Sequence, residues 1–227
     1  MQAKENLLGY SLESLESFFS KINEPKFRAK QLLKWIHQKG VLDFNLMTDL
    51  NKDLRAKLNS IAYIKPPIIH EEHVSKEGTI KYLIALESGS MIEMVEIPEK
   101  NRRTLCVSSQ AGCALQCTFC ATGAQGFDQN LDSHEIIGQL WLSNFHRKYN
   151  QPITNIVFMG MGEPLLNFDA VIESAKIMKH QLAYGLSRKR ITISTSGIVP
   201  NIKKLYDEID VSLAISLHAP DDKLRDE

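Results

Sequence analysis

Three of the four cysteines in this 227-residue sequence fall within eight residues, as Cys113, Cys117 and Cys120. Soft thiolates gathered this closely are typical ligands of zinc or of an iron–sulfur cluster. A structural zinc site takes four protein ligands, and the next histidine, His134, is fourteen residues further on. Three thiolates on a cubane cluster would instead leave one iron open to a small molecule. The spacing favours an iron–sulfur site, with a zinc site or buried free thiols as alternatives.

Glycine and polar residues stand at the ends of three predicted strands downstream of the cysteines. They are Gly162 and Glu163 in MGMGEP (159–164), Ser194, and the successive residues Ser216, Leu217 and His218. Each group has an ordinary reading, since Gly-Glu-Pro forms turns and a histidine at a strand end is often structural. In a βα barrel, however, the C-terminal ends of the strands converge on one site. Because the cysteines also follow a strand, TLCVSS, all four groups are expected to meet.

Strands and helices alternate after residue 98, which is the order of parallel βα units. The strands are TLCVSS, ITNIVFMG, KRITISTS and VSLAISL. Asp132 and Glu135 have the spacing of a capping box, FDAVIESAKIMKHQLAYG is predicted to be helical up to Gly185, and Pro200 suits a helix start. The predicted fold class is α/β, a partial (β/α) barrel of about four units.

The first sixty residues have helical periodicity. The pattern predicts three helices, in SLESLESFFSKI with Ser11 as N-cap, in FRAKQLLKWIHQKG, and in MTDLNKDLRAKLNSI with Thr48 or Asp49 as N-cap. Residues 1–60 contain 10 Lys and Arg against 7 Asp and Glu, in a chain of net charge zero. The excess indicates either the solvated surface of a helical bundle or a face that contacts the RNA backbone, formed by Lys26, Arg28, Lys30 and Lys34.

Pro66-Pro67 ends the helical region, and period-two alternation follows in IIHEEHV, TIKYLIALE and MIEMVEIP. These runs predict a β-meander with tight turns. We therefore expect three parts: a helical accessory domain over residues 1–62, which is RNA-binding if its basic face contacts RNA, a β-hairpin or meander linker over 63–98, and the α/β core over 99–227.

The overall composition is that of an ordinary globular protein, with 43% hydrophobic and 24% charged residues. No apolar run approaches the ~18 residues of a transmembrane helix, and the start of the chain lacks the apolar core of a signal peptide. We expect a cytoplasmic protein without membrane association. Thiols stay reduced in that compartment, so the cysteines are not expected to form a structural disulfide framework.

Four motifs together resemble the RlmN/Cfr family of radical S-adenosylmethionine (SAM) RNA adenine methyltransferases: LCVSSQAGCALQCTFCATGAQGF, MGMGEPLLN, ITISTSG and ISLHAP. The similarity covers almost the whole chain and is greatest to the RlmN branch. It implies a partial barrel of the radical SAM type and a [4Fe–4S] cluster on Cys113, Cys117 and Cys120, with SAM on the open iron. The SAM contacts it implies are Gly162, Glu163, Ser194, Ser216, Leu217 and His218.

The same resemblance assigns roles to two residues that are neither cluster ligands nor SAM contacts. Cys106 would help resolve a covalent protein–RNA adduct through a transient disulfide, although a lone strand cysteine is otherwise a small core residue. Glu93 would be the proton acceptor, although by pattern it is only a polar position on a strand. The electron donor would be a protein such as flavodoxin, and the enzyme a monomer.

The resemblance also implies a reaction, methylation of C2 of an adenosine in large-subunit ribosomal RNA and in transfer RNA. That carbon is electron-poor and cannot displace methyl from SAM directly. The family uses one SAM to methylate a protein cysteine. A second SAM is cleaved reductively, and the 5′-deoxyadenosyl radical activates the methyl group. The cofactor thus supplies the difficult chemistry, and the protein supplies position and exclusion of water.

The sequence departs from the family after Cys120. The methyl-carrying cysteine of full-length members lies near their C-terminus, and no cysteine follows Cys120 here. About four βα units are present where the superfamily usually has six, and a SAM-contacting Asn of the later portion is absent. We therefore expect a C-terminally truncated form that does not complete methyl transfer. The alternatives are C8 methylation as in the Cfr branch, SAM cleavage alone, and non-catalytic RNA binding.

Overall fold

The computed structural model describes residues 4–115, 117–146 and 151–225. Its N-terminal region contains the three predicted helices, flanked by a short parallel strand pair. In chain order these elements are β1 (Glu5–Asn6), α1 (Leu12–Lys21), α2 (Phe27–His37), α3 (Lys52–Ile61) and β2 (Ala62–Tyr63). The apolar stripe of each helix is buried, as the periodicity predicts.

The helix starts agree with the sequence in one case and differ in another. Ser11 caps α1, where its Oγ accepts a hydrogen bond from Ser14 N at 3.3 Å. The N-cap predicted for α3, Thr48 or Asp49, is wrong: Asn51 caps this helix, and its Oδ1 accepts from Leu54 N at 2.7 Å. Asparagine is a strong N-cap, and the Asp49 carboxylate is already engaged by the Trp35 indole N–H.

The predicted meander is present as three antiparallel strands, β3 (Ile68–Val74), β4 (Ile80–Ala85) and β5 (Met91–Glu99). Alternate residues of β4 and β5 are buried, so one face of the meander packs on the core. This is the pattern of an antiparallel sheet covered on one side.

The core follows in the predicted alternation. In chain order its elements are β6 (Arg102–Cys106), β7 (Gln110–Gly112), α4 (Ala121–Ala124), β8 (Phe127–Asn130), α5 (Ser133–Phe145), β9 (Asn155–Phe158), α6 (Phe168–Lys179), β10 (Ile191–Thr195), α7 (Val199–Glu208), β11 (Ser212–Ile215) and α8 (Asp222–Arg225). Strands β6, β9, β10 and β11 are parallel neighbours. This confirms the predicted α/β class with parallel strands. In the part of the chain that the structure describes, no helix is long and apolar enough to cross a membrane.

The structure confirms two helix starts that the sequence predicts in the core, and it contradicts one predicted helix end. Asp132 and Glu135 form the predicted capping box of α5, and proline occupies the first turn of α7. The predicted end of α6 at Gly185 is wrong, because the helix stops at Lys179. His180 takes an extended conformation there, and its Nδ1 accepts a hydrogen bond from Leu182 N at 3.0 Å. A side chain that captures a nearby backbone N–H competes with the helix in this way.

The meander and the parallel strands form one seven-stranded sheet, in the order β11-β10-β9-β6-β5-β4-β3. Strand β5 pairs antiparallel with β6, so that Val95 lies opposite Cys106 and Glu99 opposite Arg102. The predicted boundary at residue 98 therefore falls inside a hydrogen-bonded strand. The division into three parts stays a prediction.

Polar contacts join the N-terminal helices to the core. The Trp141 indole N–H donates to the Ile36 carbonyl at 3.1 Å, and Ser11 N donates to a Glu173 carboxylate oxygen at 2.8 Å. His37 Nδ1 lies 3.1 Å from the Tyr184 hydroxyl. These contacts bridge residues more than 100 positions apart and fix the N-terminal helices against the α/β core.

Burial of His37 makes this junction sensitive to acid. It lowers the His37 pKa from 6.5 to about 3, so below pH 6.5 the unfolded chain takes up a proton that the folded chain excludes. Stability is full above pH 6.5 and is lost as the pH falls toward 3. Between pH 6.5 and 5.5 we expect the free energy of unfolding to fall by about 1 kcal/mol more in the wild type than in His37→Gln. Urea unfolding at the two pH values measures this difference.

The exposed His73 provides the matched control for that experiment. His73→Gln should retain the wild-type dependence on pH, since it removes an imidazole that lies outside the junction of the N-terminal helices with the core. If His37→Gln and the wild type lose stability equally on acidification, His37 does not titrate as a buried group.

Candidate active site

A cavity of about 460 Å³ lies at the C-terminal ends of the parallel strands. Its wall contains eight of the predicted site residues: Cys113, Cys117, Cys120, Gly162, Glu163, Ser194, Ser216 and His218. Leu217 is not among the lining residues, and 72% of its surface is exposed. The chain thus brings together the cysteines and three strand ends, as the barrel argument predicts, while the role of each residue stays a prediction.

The cysteine loop, residues 113–120, is framed by the hairpin of β7 and β8. Cys113 N donates to the Gly126 carbonyl at 2.9 Å, and Cys120 N donates to the Cys117 carbonyl at 3.1 Å. Gly112 has φ +72°, and a Cβ there would lie 1.9 Å from the Gly126 carbonyl oxygen. Only glycine fits this position, so the entry of the loop is fixed by the backbone.

The donor set of the loop suits an iron–sulfur cluster. The three cysteines line one cavity wall. Burial raises the pKa of the Cys113 thiol, and a backbone hydrogen bond from Leu115 lowers it by less, so binding of a cluster would have to displace the thiol proton. His134, considered above as a distant fourth zinc ligand, does not line the cavity and sits 4.0 Å from Asp132. Over the described residues, no three His, Cys, Asp or Glu side chains are gathered tightly enough to hold a metal ion. The case for a cluster site therefore rests on the common cavity wall and on the sequence spacing of the three cysteines, and not on a preformed ligand geometry.

Glu163 ties the strand-end loop 159–164, called here the Gly-Glu loop, to the end of β10. Its side chain is buried, one carboxylate oxygen accepts from Leu165 N at 3.0 Å, and the other accepts from Ser196 N at 2.8 Å and from Ser196 Oγ at 3.0 Å. These three bonds fix the carboxylate at the cavity wall. Gly162, with φ +96°, provides the turn that brings Glu163 there.

The ends of β10 and β11 are joined in the same cavity. Ser194 Oγ lies 3.2 Å from Ser216 Oγ, and Ser216 N donates to the Thr195 carbonyl at 2.8 Å. The two hydroxyls present polar atoms to any ligand in the cavity.

Phe119 belongs to this site, although the sequence reasoning passed over it. It lies between two of the cysteines, and its ring centroid is 4.7 Å from that of His218. This contact links the cysteine loop directly to the segment after β11. An aromatic residue between two closely spaced cysteines was the signal available in the sequence.

Cys106 and Glu93 are not among the residues that line the cavity. Burial raises the pKa of the Cys106 thiol, with a smaller opposing effect from a hydrogen bond to the Met159 backbone. The Glu93 carboxylate accepts from Lys81 Nζ at 2.9 Å. Their strands β6 and β5 are adjacent, and the catalytic roles of both residues stay predictions.

Two family models match separate parts of the chain. The "Radical SAM superfamily" matches residues 107–227, and the "Ribosomal RNA large subunit methyltransferase N-terminal domain" matches residues 5–64. The first covers the cysteine loop and the parallel strands β9, β10 and β11, and the second covers the three N-terminal helices.

Curated relatives and a solved structure extend the similarity over nearly the whole chain. Proteins named dual-specificity RNA methyltransferase RlmN, from Pseudomonas putida strain F1 and Pseudomonas entomophila strain L48, are 55% identical over 227 residues. The alignment takes in 98% of this chain, which spans 60% of the length of those relatives. A radical SAM methyltransferase from Sphaerobacter thermophilus is 38% identical, with a TM-score of 0.87 over 97% of this chain and 66% of that one.

Proposed function

Because this chain belongs to the radical SAM superfamily, we propose that it is the SAM-binding part of an RNA methyltransferase acting on C2 of adenosine. The observation that carries the proposal is the cavity shared by the three cysteines and the ends of three parallel strands. The similarity to proteins named dual-specificity RNA methyltransferase RlmN supports ribosomal and transfer RNA as substrates.

In this proposal Cys113, Cys117 and Cys120 hold one [4Fe–4S] cluster, and SAM occupies the rest of the cavity. When bound, the cluster supplies the electron for reductive cleavage of SAM. The chain's own residues hold and orient the cofactor: Gly162 and Glu163 at its amino-acid end, and Ser194, Ser216 and His218 along the remainder. The apolar wall, which includes Phe158 and Ile215, excludes water from the reacting atoms.

Two further residues handle protons and sulfur chemistry. Glu93 accepts a proton from the adenine ring of the RNA substrate. Lys81 Nζ, 2.9 Å away, orients the Glu93 carboxylate. Cys106 resolves the protein–RNA adduct, and its raised pKa keeps it in the thiol form until a base removes the proton.

The N-terminal helices are proposed to hold the RNA by its backbone. Lys26, Lys30 and Lys34 recur every fourth residue from the start of α2 and are exposed. Arg28 differs from them, because its guanidinium donates to Gln31 Oε1 at 2.8 Å and to the Asp49 carbonyl at 3.2 Å. The three lysines therefore form the face available to phosphate, and Arg28 stabilises the helical domain.

Charge reversal of Lys26, Lys30 and Lys34 should weaken RNA binding and make it less dependent on salt. Each phosphate contact that is lost should reduce the slope of log K against log salt by about 0.7–0.9. Filter binding of a large-subunit RNA fragment over a salt series measures both effects. Reversing three exposed lysines elsewhere, Lys76, Lys100 and Lys203, changes the net charge equally and should leave the slope unchanged. Equal effects of the two triple variants would mean that the helical lysines are only solvated.

The regiochemistry of the reaction is the central test of the proposed function. In a strain that lacks the whole gene, including any coding sequence beyond these 227 residues, mass spectrometry of ribosomal and transfer RNA should show loss of 2-methyladenosine, restored by that whole gene and not by its Cys113→Ala variant. Loss of 8-methyladenosine instead would support the Cfr-type alternative. Unchanged methylation, with RNA binding intact, would support a non-catalytic RNA-binding protein.

The 227 residues by themselves are proposed to be insufficient for turnover. Cys106 is the only thiol outside the triplet, so the chain offers no separate cysteine to carry the methyl group. With a reductant the isolated chain should cleave SAM slowly and form no methyladenosine. Methyladenosine produced by this chain, cleared of any longer host enzyme, would contradict the proposal and assign the methyl-carrying role to Cys106.

The remaining expectations follow from the same proposal. The electron donor is a small reducing protein such as flavodoxin, the chain acts as a monomer, and it works in the cytoplasm, where its RNA substrates are.

A further inference from the structure

Gln110 is a buried residue that connects three segments around the candidate site. It begins β7, three residues before Cys113, and is 1% exposed. Its Oε1 accepts from Glu163 N at 3.0 Å and from Ala114 N at 3.4 Å. Its Nε2 donates to Asn130 Oδ1 on β8 at 2.8 Å. One amide therefore contacts the Gly-Glu loop, the cysteine loop and the hairpin that frames it.

A carboxamide suits these partners better than any apolar side chain. Its carbonyl oxygen has two lone pairs and can accept both backbone N–H groups, while its NH₂ group donates in the opposite direction. A side chain of similar size without polar atoms would leave the N–H groups of Glu163 and Ala114 without acceptors, which is costly for buried donors.

The stem of Gln110 is also packed directly against the Gly-Glu loop. Gln110 N donates to the Met161 carbonyl at 3.2 Å. A Cβ at Gly162 would lie only 2.5 Å from Gln110 Cβ. The absence of a side chain at Gly162 is therefore what allows the Gln110 amide to reach Glu163 N.

We propose that Gln110 is a positioning residue, which fixes the cysteine loop against the Gly-Glu loop and so sets the place of SAM relative to the open iron. The inference rests on the proposed function for the identity of the ligands. It assigns no bond between Gln110 and SAM. Its effect runs through Glu163 and Ala114, whose backbone positions the amide holds.

The test compares Gln110→Met with Gln129→Met in the 227-residue chain. Gln129 lies on the same hairpin, and its Nε2 donates to Ser88 Oγ at 2.8 Å, away from both loops. After anaerobic reconstitution, Gln110→Met should contain the same amount of iron as the wild type and bind SAM about tenfold more weakly. The change that SAM causes in the electron paramagnetic resonance spectrum should differ from the change seen in the wild type. Gln129→Met should match the wild type in all three measurements. SAM binding and spectra in Gln110→Met that match the control would overturn the inference.

Gln110→Glu provides a conservative rescue, because a carboxylate keeps the acceptor atoms for both N–H groups and the Asn130 amide can turn to donate to it. SAM affinity should fall less in Gln110→Glu than in Gln110→Met. An equal loss in the two variants would show that the hydrogen bonds do not matter and would also overturn the inference.

A cluster-free measurement separates this inference from the proposed function. In reduced, metal-free protein, alkylation of Cys113 should be several-fold faster in Gln110→Met than in Gln129→Met, since the loop has lost a tether, while alkylation of Cys106 should be the same in both. Equal alkylation rates at Cys113 in the two variants would refute the role of Gln110, even if the chain binds both the cluster and SAM. A wild-type chain that binds neither cluster nor SAM would instead refute the proposed function, and the alkylation rates would still decide the role of Gln110.

Discussion

Replacing Cys113, Cys117 and Cys120 together with alanine is expected to abolish iron and sulfide binding. The unaltered chain, reconstituted anaerobically, should hold about four iron and four sulfide with a broad brown absorption. The three cysteines line one cavity wall and supply its thiol donors. Iron and sulfide analysis, with the absorption spectrum, measures the loss, which should be complete.

Cys106→Ala is the matched control for the triple variant, because it removes a thiol from strand β6 rather than from the cysteine loop. It should retain the full iron and sulfide content. Circular dichroism of the metal-free proteins should show the same secondary structure in all three, since the triplet lies in a loop. One zinc per chain without sulfide, in protein purified anaerobically, would establish the zinc alternative instead.

Gly162→Ala is expected to destabilise the fold and to remove SAM binding. Two costs add at this position. Its φ of +96° is unfavourable for alanine, by about 1–2 kcal/mol, and the new Cβ would lie 2.5 Å from Gln110 Cβ, which adds about 1–3 kcal/mol of overpacking. Urea unfolding should show a loss of about 2–5 kcal/mol, and titration with SAM should show no binding, because Glu163 is displaced.

Gly89→Ala separates the two costs. Gly89 has nearly the same backbone angle, φ +91°, and nothing lies within 4 Å of the Cβ it would gain. This variant should lose only about 1–2 kcal/mol and bind SAM normally. If Gly162→Ala behaves like Gly89→Ala, the close approach of Gln110 does not constrain the Gly-Glu loop.

Features that depend on near neighbours along the chain could be predicted from the order of the residues. The cysteine spacing, the capping box of Asp132 and Glu135, and the alternation of strands with helices can all be read within a window of a few residues. Convergence of the cysteines with Glu163, Ser194 and Ser216 also followed, because parallel strands place their C-terminal ends on one edge. Local periodicity failed where a side chain competed for a backbone group, at Asn51 before α3 and at His180 after α6.

Hydrogen bonds between segments that are far apart in the chain become visible only in the three-dimensional fold. The β7–β8 hairpin, for example, places Gly126 against Cys113. This pairing has no local signature, since any exposed strand edge offers the same N–H and C=O groups and the partner is selected by packing elsewhere. For the same reason Gln110 looked ordinary in the sequence. Its importance comes from Glu163, 53 residues away, whose N–H becomes its partner only once β9 lies beside β6.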